Sequence, residues 1–191
     1  MSKLMSEERN SVGRLILFLG GARAGKSTAA VRLAKAKGTQ VCFIATAQGL
    51  DEDMKQRIAR HRAERPVNWR TVEEPHEIDQ ALHEAEECAV VIVDCLTLFV
   101  SNWLMREEDE NECARSLKRI TQNFVAQAQA RKQTIICVSN EVGLGVVPEL
   151  HLGRVFRDLL GRVNQDFADA ADEVYLIMAG LRLRLKPPTS F

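Results

Sequence analysis

The chain has 191 residues with 46% hydrophobic content, enough for one full core and crowded for two. Lys plus Arg number 26 and so do Asp plus Glu; the resulting zero net charge argues against a broad cationic face for nucleic acid. No apolar run approaches the roughly 20 residues that span a bilayer, which argues against stable membrane insertion. The five cysteines are odd in number and lack C-x-x-C spacing, so they read as small hydrophobes in a reducing cytoplasm rather than as a disulfide or zinc framework.

Residues 1–13 mix Ser, Glu, Arg and Asn without the apolar stretch of a signal peptide, and are read as a disordered extension. Residues 14–191 are read as a single domain. A buried-strand run at 15–19 ends at Gly20-Gly21. Ala29, Ala30, Leu33 and Ala34 recur at helical spacing, which predicts a helix over 26–37 that Gly38 stops. A second strand follows at 41–45. Asp51 is the N-cap of a helix reaching about residue 64, where Pro66 excludes its continuation. A short strand at 69–72, a helix at 75–87 and the clearest buried strand at 89–93 come next. A long amphipathic helix is predicted over 111–131, a strand over 134–139 and a helix over 150–168. Strands at 173–179 and 181–186 form a hairpin around Gly180. Strands that are apolar throughout and separated by helices imply an α/β fold, with a mostly parallel sheet covered by helices on both faces and a C-terminal strand pair.

Gly20-Gly21-Ala22-Arg23-Ala24-Gly25-Lys26-Ser27 fits G-x-x-x-x-G-K-S/T between a strand and a helix, the context a P-loop requires. Glycines let successive backbone N–H groups turn toward phosphate oxygens, and the helix N-terminus adds a favourable dipole. Lys26 is expected to reach the terminal phosphates and Ser27 to contact Mg²⁺. Asp94 ends the most apolar strand, where a second carboxylate of a P-loop enzyme holds Mg²⁺ directly or through water. GTP or ATP with Mg²⁺ is thus the expected substrate, and no tightly held organic cofactor is called for.

With these residues in place, the chain resembles the bifunctional adenosylcobinamide kinase / adenosylcobinamide-phosphate guanylyltransferase family of cobalamin assembly. The resemblance runs from Leu15 to Lys186 and is carried by blocks in order. After the P-loop come Ile44-Ala45-Thr46-Ala47, then Asp53-Met54-Lys55-Gln56-Arg57-Ile58-Ala59-Arg60-His61-Arg62, and Arg65-Pro66 with Trp69-Arg70-Thr71. They continue through Ser139-Asn140-Glu141-Val142-Gly143-Leu144-Gly145-Val146-Val147-Pro148-Glu149, Gly161-Arg162-Val163-Asn164-Gln165 and Ala170-Ala171-Asp172-Glu173-Val174. It implies a RecA-like core, a homotrimer, and two reactions. A nucleoside triphosphate phosphorylates adenosylcobinamide, a corrinoid; GTP then guanylylates a histidine that passes GMP to adenosylcobinamide phosphate.

By that resemblance His61 is the guanylylated histidine. Residue chemistry is compatible: surrounding Arg57, Arg60, Arg62 and Arg65 favour a neutral imidazole with a free ring nitrogen, and guanidiniums hold phosphate oxygens in pairs. The resemblance also brings Ala45, Thr46 and Ala47 toward the nucleotide. It places Arg62, Ala63, Glu64 and Arg65 against the guanylyl group and turns Glu73 toward guanine, whose N1–H and N2–H₂ a carboxylate can accept. Where the family often shows two adjacent histidines this chain has Arg60 before His61, and Asp94 stands where the family often has glutamate. Trp69 and Trp103 are assigned to core or interface packing, His76 and His83 to an exposed helix, and His151 to a local polar contact. The segment around Gly143 and Gly145 reads equally as a loop that closes over substrate and as a turn. The alternative to two reactions is a P-loop small-molecule kinase without guanylyl transfer; a non-catalytic nucleotide switch has no evident use for His61.

Overall fold

The structure, a computed structural model, describes residues 13–187, so the expected extension lies outside the described residues apart from Gly13. In chain order the elements are β1 (Arg14–Leu19), α1 (Lys26–Lys37), β2 (Val41–Ala45), α2 (Glu52–Ala63), β3 (Arg70–Glu73), α3 (Ile78–Glu84), β4 (Val90–Asp94), α4 (Leu96–Arg106), α5 (Glu110–Ala130), β5 (Thr134–Val138), α6 (His151–Ala170), β6 (Glu173–Met178) and β7 (Leu181–Lys186). The strands form one seven-stranded sheet in the order β3-β2-β4-β5-β1-β6-β7. All neighbouring pairs run parallel except the β6–β7 hairpin.

Continuous apolar runs at β1, β2, β4 and β5 follow from burial on both faces. Leu15, Leu17, Ile44, Val91, Val93 and Cys137 pack with α3, α4, α5 and α6. The alternate residues Ile16, Phe18, Phe43, Ile92, Ile136 and Val138 pack with Ala30 and Ala34 of α1 and with Trp69. One face thus carries four helices and the other α1 alone, while α2 contributes no fully buried residue to either.

Three sequence expectations shift. The helix expected over 75–87 is only Ile78–Glu84, because Glu74 Oε1 accepts the His76 and Glu77 backbone N–H groups and folds residues 74–77 into a turn. His76 therefore precedes the helix, half-buried with its ring edge-on to Trp103, while His83 is exposed on it. The strand expected over 69–72 is Arg70–Glu73, which frees Trp69 to fill the core under α1. Finally, α4 has no counterpart among the sequence expectations: Leu96, Phe99, Val100 and Trp103 bury one face, Thr97 and Asn102 are buried to either side of it, and Leu98, Ser101 and Leu104 are half-buried, so no polar stripe marks it before its last turn. Both tryptophans are buried, Trp103 with its indole N–H donating to the His76 carbonyl. His151 makes its polar contact with Glu110, Nε2 to Oε1 at 2.7 Å.

Candidate functional site

The C-terminal ends of parallel strands are where an open α/β sheet exposes backbone and loops to a ligand. In this fold the ends of β1, β2, β4 and β5 supply the P-loop, residues 45–47, Asp94 and Asn140. The P-loop curls because Gly20 and Gly25 take φ of 149° and 98°, open to glycine and strained for other residues. Lys26 is buried, and its Nζ donates to the Gly20 and Gly21 carbonyls at 3.0 and 2.7 Å, so the loop is closed by its own ammonium. Burial pushes the Lys26 ammonium below its usual value, and Arg57 adds to that, against the opposing pull of Cys95 and Asp94. Neighbouring segments brace the loop: the Glu141 N–H donates to the Gly20 carbonyl and the Gly180 N–H to that of Ala24, at 3.0 and 2.9 Å.

A second layer of contacts fixes the adjoining strand ends. The buried Thr46 hydroxyl donates to the Cys95 carbonyl and accepts its N–H, and the Thr46 N–H donates to the Asp94 carbonyl. Asn102 of α4 donates through Nδ2 to both the Thr46 and Pro75 carbonyls, at 2.8 and 3.1 Å, tying the ends of β2 and β3 together. Asn140 takes its backbone N–H to Thr97 Oγ1 and its carbonyl to Asn164 Nδ2.

Two cavities open on this edge, with α2 as their common wall. One, about 580 Å³, is lined by Ser27, Ala45, Ala47, His61, Arg62, Arg65, Glu73 and Asp94 among others. The other, about 750 Å³, is lined by Ala22, Arg23, Ala24, Gly25, Lys26, Ser27, His61, Glu64, Arg65 and Asp94, together with residues of α1. His61, Ser27, Arg65, Arg57, Asp94 and Cys95 border both. The Arg65 guanidinium sits over the Phe43 ring, its central carbon 3.3 Å from the centroid, which holds it in place with no carboxylate partner among the described residues. Arg62 pairs with Glu73 at 3.6 Å, an exposed pair of small energetic weight that a ligand can exchange.

Four expected site residues line neither cavity. Gly20 is buried beneath the loop, Gly21 points outward, Thr46 has turned its hydroxyl onto Cys95, and Ala63 is exposed at the end of α2. Conversely, Asn140, Cys95, Arg32 and Lys35 border the cavities with no role assigned to them from sequence alone, and Arg57, expected beside His61, borders both. Arg32 and Lys35 were legible in principle, since they fall at i+4 and i+7 from Thr28 on the same face of the P-loop helix.

Ser27 and Asp94 line the same cavities, and no cluster of three His, Cys, Asp or Glu side chains occurs among the described residues. One hydroxyl and one carboxylate beside a phosphate loop suit Mg²⁺, which binds through few protein groups plus nucleotide phosphates. No helix among the described residues is long and apolar enough to cross a membrane.

Residues 16–185 match the family model described as cobinamide kinase / cobinamide phosphate guanyltransferase. The bifunctional adenosylcobalamin biosynthesis protein CobU of Escherichia coli is 40% identical over 181 residues, covering 90% of this chain and 99% of that protein. The bifunctional adenosylcobalamin biosynthesis protein CobP of Pseudomonas aeruginosa is 43% identical over 171 residues, covering 89% and 96% respectively. Among solved structures, the RadB recombinase superposes at a TM-score of 0.48 with 15% identity, over 87% of this chain and 74% of that one.

Proposed function

The chain belongs to the cobinamide kinase / cobinamide phosphate guanyltransferase family, and we propose that it runs both reactions at the one sheet edge, the second through a covalent guanylyl group on His61. The observation that carries this reading is the position of His61 on the wall shared by the two cavities, facing the same space as Lys26, Ser27 and Asp94.

In the kinase reaction the P-loop N–H groups and Lys26 hold the triphosphate, Lys26 exchanging two backbone carbonyls for phosphate oxygens. Ser27 and Asp94 would hold Mg²⁺, which when bound neutralises developing phosphate charge. The hydroxyl of adenosylcobinamide is the acceptor. In the transferase reaction a ring nitrogen of His61 attacks the α-phosphorus of GTP and pyrophosphate leaves. Arg57 and Arg65, bordering both cavities, steady the phosphate oxygens, and Glu73 accepts from guanine, which adenine cannot match. Assembly as a homotrimer and a cytoplasmic setting belong to the same proposal, supported by family membership.

Intact-protein mass after incubation with GTP and Mg²⁺, without corrinoid, tests it. The expected result is a gain of one GMP that His61→Ala abolishes while some kinase activity remains, whereas Lys26→Ala weakens triphosphate use in both reactions. A folded, GTP-binding protein with no adduct would rule out transfer through a guanylyl-histidine.

A further inference from the structure

The larger cavity continues past the P-loop along α1, bounded by Arg32 and Lys35 on α1 and by Arg57 and Arg60 on α2. Seven of its lining side chains are cationic and two are carboxylates, in a chain whose net charge is zero. None of the seven forms an ion pair with a carboxylate among the described residues. Walls of low dielectric focus such a field on an incoming anion.

A triphosphate held by the P-loop does not account for this arm. At about 1.5 Å per residue, Lys35 lies roughly 12 Å down α1 from Ser27. The base is read toward Glu73, in the other cavity. Yet the arm reaches His61 directly, because that side chain borders it too.

We propose that the arm between α1 and α2, with Arg32 and Lys35 as its outer cations, is the subsite for the phosphate monoester of the guanylyl acceptor. This rests on the guanylyl-histidine reading and extends it to the second displacement. A phosphate oxygen of the acceptor attacks the guanylyl phosphorus on His61. A P–O bond of the new diphosphate forms and the P–N bond breaks. The ring nitrogen leaves with its electron pair, and the proton on the other ring nitrogen stays where it is. The product is the nucleoside diphosphate ester of the corrinoid and His61 returns to its starting state. The outer cations draw in a dianionic phosphate and have nothing to grip on the unphosphorylated alcohol, so the subsite separates the two corrinoids by charge.

The test is the selectivity ratio of the full-length enzyme, its dissociation constant for adenosylcobinamide divided by that for adenosylcobinamide phosphate. It is measured by equilibrium dialysis for the native protein and for Arg32→Ala/Lys35→Ala. Two exposed cations give an expected loss of about tenfold in that ratio, with affinity for the unphosphorylated corrinoid unchanged. Arg32→Lys/Lys35→Arg is expected to restore it, and raising the ionic strength to erode it in the native protein more than in the alanine variant. An unchanged ratio, or an equal fall for both corrinoids, overturns the subsite. GMP adduct formation by mass is read alongside as the control for fold and nucleophile. Its absence in the native enzyme speaks against His61 as nucleophile, while the binding ratio still decides whether the arm recognises the phosphate.

Discussion

Gly20 is held where no other residue fits. Its φ is 149°, and a Cβ on it would overlap the carbonyl oxygen of Ile177 on β6. Gly20→Ala must therefore open the β1–β6 pairing at the point where the P-loop departs. The expected cost is about 2–4 kcal/mol, read as a lower urea midpoint, together with loss of GTP binding. Gly21, by contrast, has free space around its would-be Cβ, and Gly21→Ala is expected to leave the midpoint close to native. The motif fixes Gly20 and leaves position 21 open, and the burden on Gly20 comes from β6, which the sequence places far from the loop. Lys26 and Ser27 were readable because the motif's chemistry is local, whereas Thr46 shows the limit of such reading. Its backbone sits at the expected strand end, yet its hydroxyl turns inward because Cys95 offers both an N–H and a carbonyl.

α2 carries the candidate nucleophile and is the least anchored helix of the fold, with no fully buried residue. Only Met54, Ile58 and His61, at helical spacing, turn partly away from solvent. Its start depends on Asp51, whose Oδ1 accepts the Met54 N–H at 2.7 Å. Asp51→Ala is expected to cost the helix about 1 kcal/mol. Because α2 contributes so little to the core, that loss should appear as faster hydrogen exchange across residues 52–63 and slower GMP adduct formation, with little change in global melting temperature. This helix was legible from its cap, its charge and its proline stop. α4 was not: buried or half-buried on every side before its last turn, it lacks the polar face from which helical period is read. The clue in its sequence was Asn102, a polar residue inside an apolar stretch, and the structure shows it satisfied by the Thr46 and Pro75 carbonyls.

At the scale of the whole molecule, the dry sheet sets a response to alkali. Burial pushes the Cys42 thiol up to about 12 and that of Cys137 higher still, from an ordinary value of 9.0. Above pH 9 the unfolded chain gives up these protons while the folded chain keeps them. The stability they contribute is thus complete below pH 9 and is lost as pH rises toward the folded values, at about 1.4 kcal/mol per pH unit for each thiol. Lys26, held below its usual value, works in the opposite direction as it approaches 10.5. Urea midpoints measured between pH 8.5 and 11 should fall, and should fall less steeply in Cys137→Ala; equal slopes would contradict this assignment. The alternation of strands and helices made the α/β class legible from sequence. Strand order was less so, because it depends on which strands sit beside β1.

That order has a consequence for how the protein is made. β1 leaves the ribosome before every other described element, yet both of its neighbours come long after it: Arg14 pairs with Thr134, and Ile16 with Glu173. The hairpin tip that clasps the P-loop, through the Gly180 N–H and the Ala24 carbonyl, comes later still. A nascent chain can assemble β2, β3 and β4 with their helices while β1 waits, apolar and unpaired, for its partners. The phosphate loop takes its shape only once β6 and the hairpin tip have been made, so a chain stalled before β6 should carry the whole nucleotide motif and still be unable to hold a nucleotide.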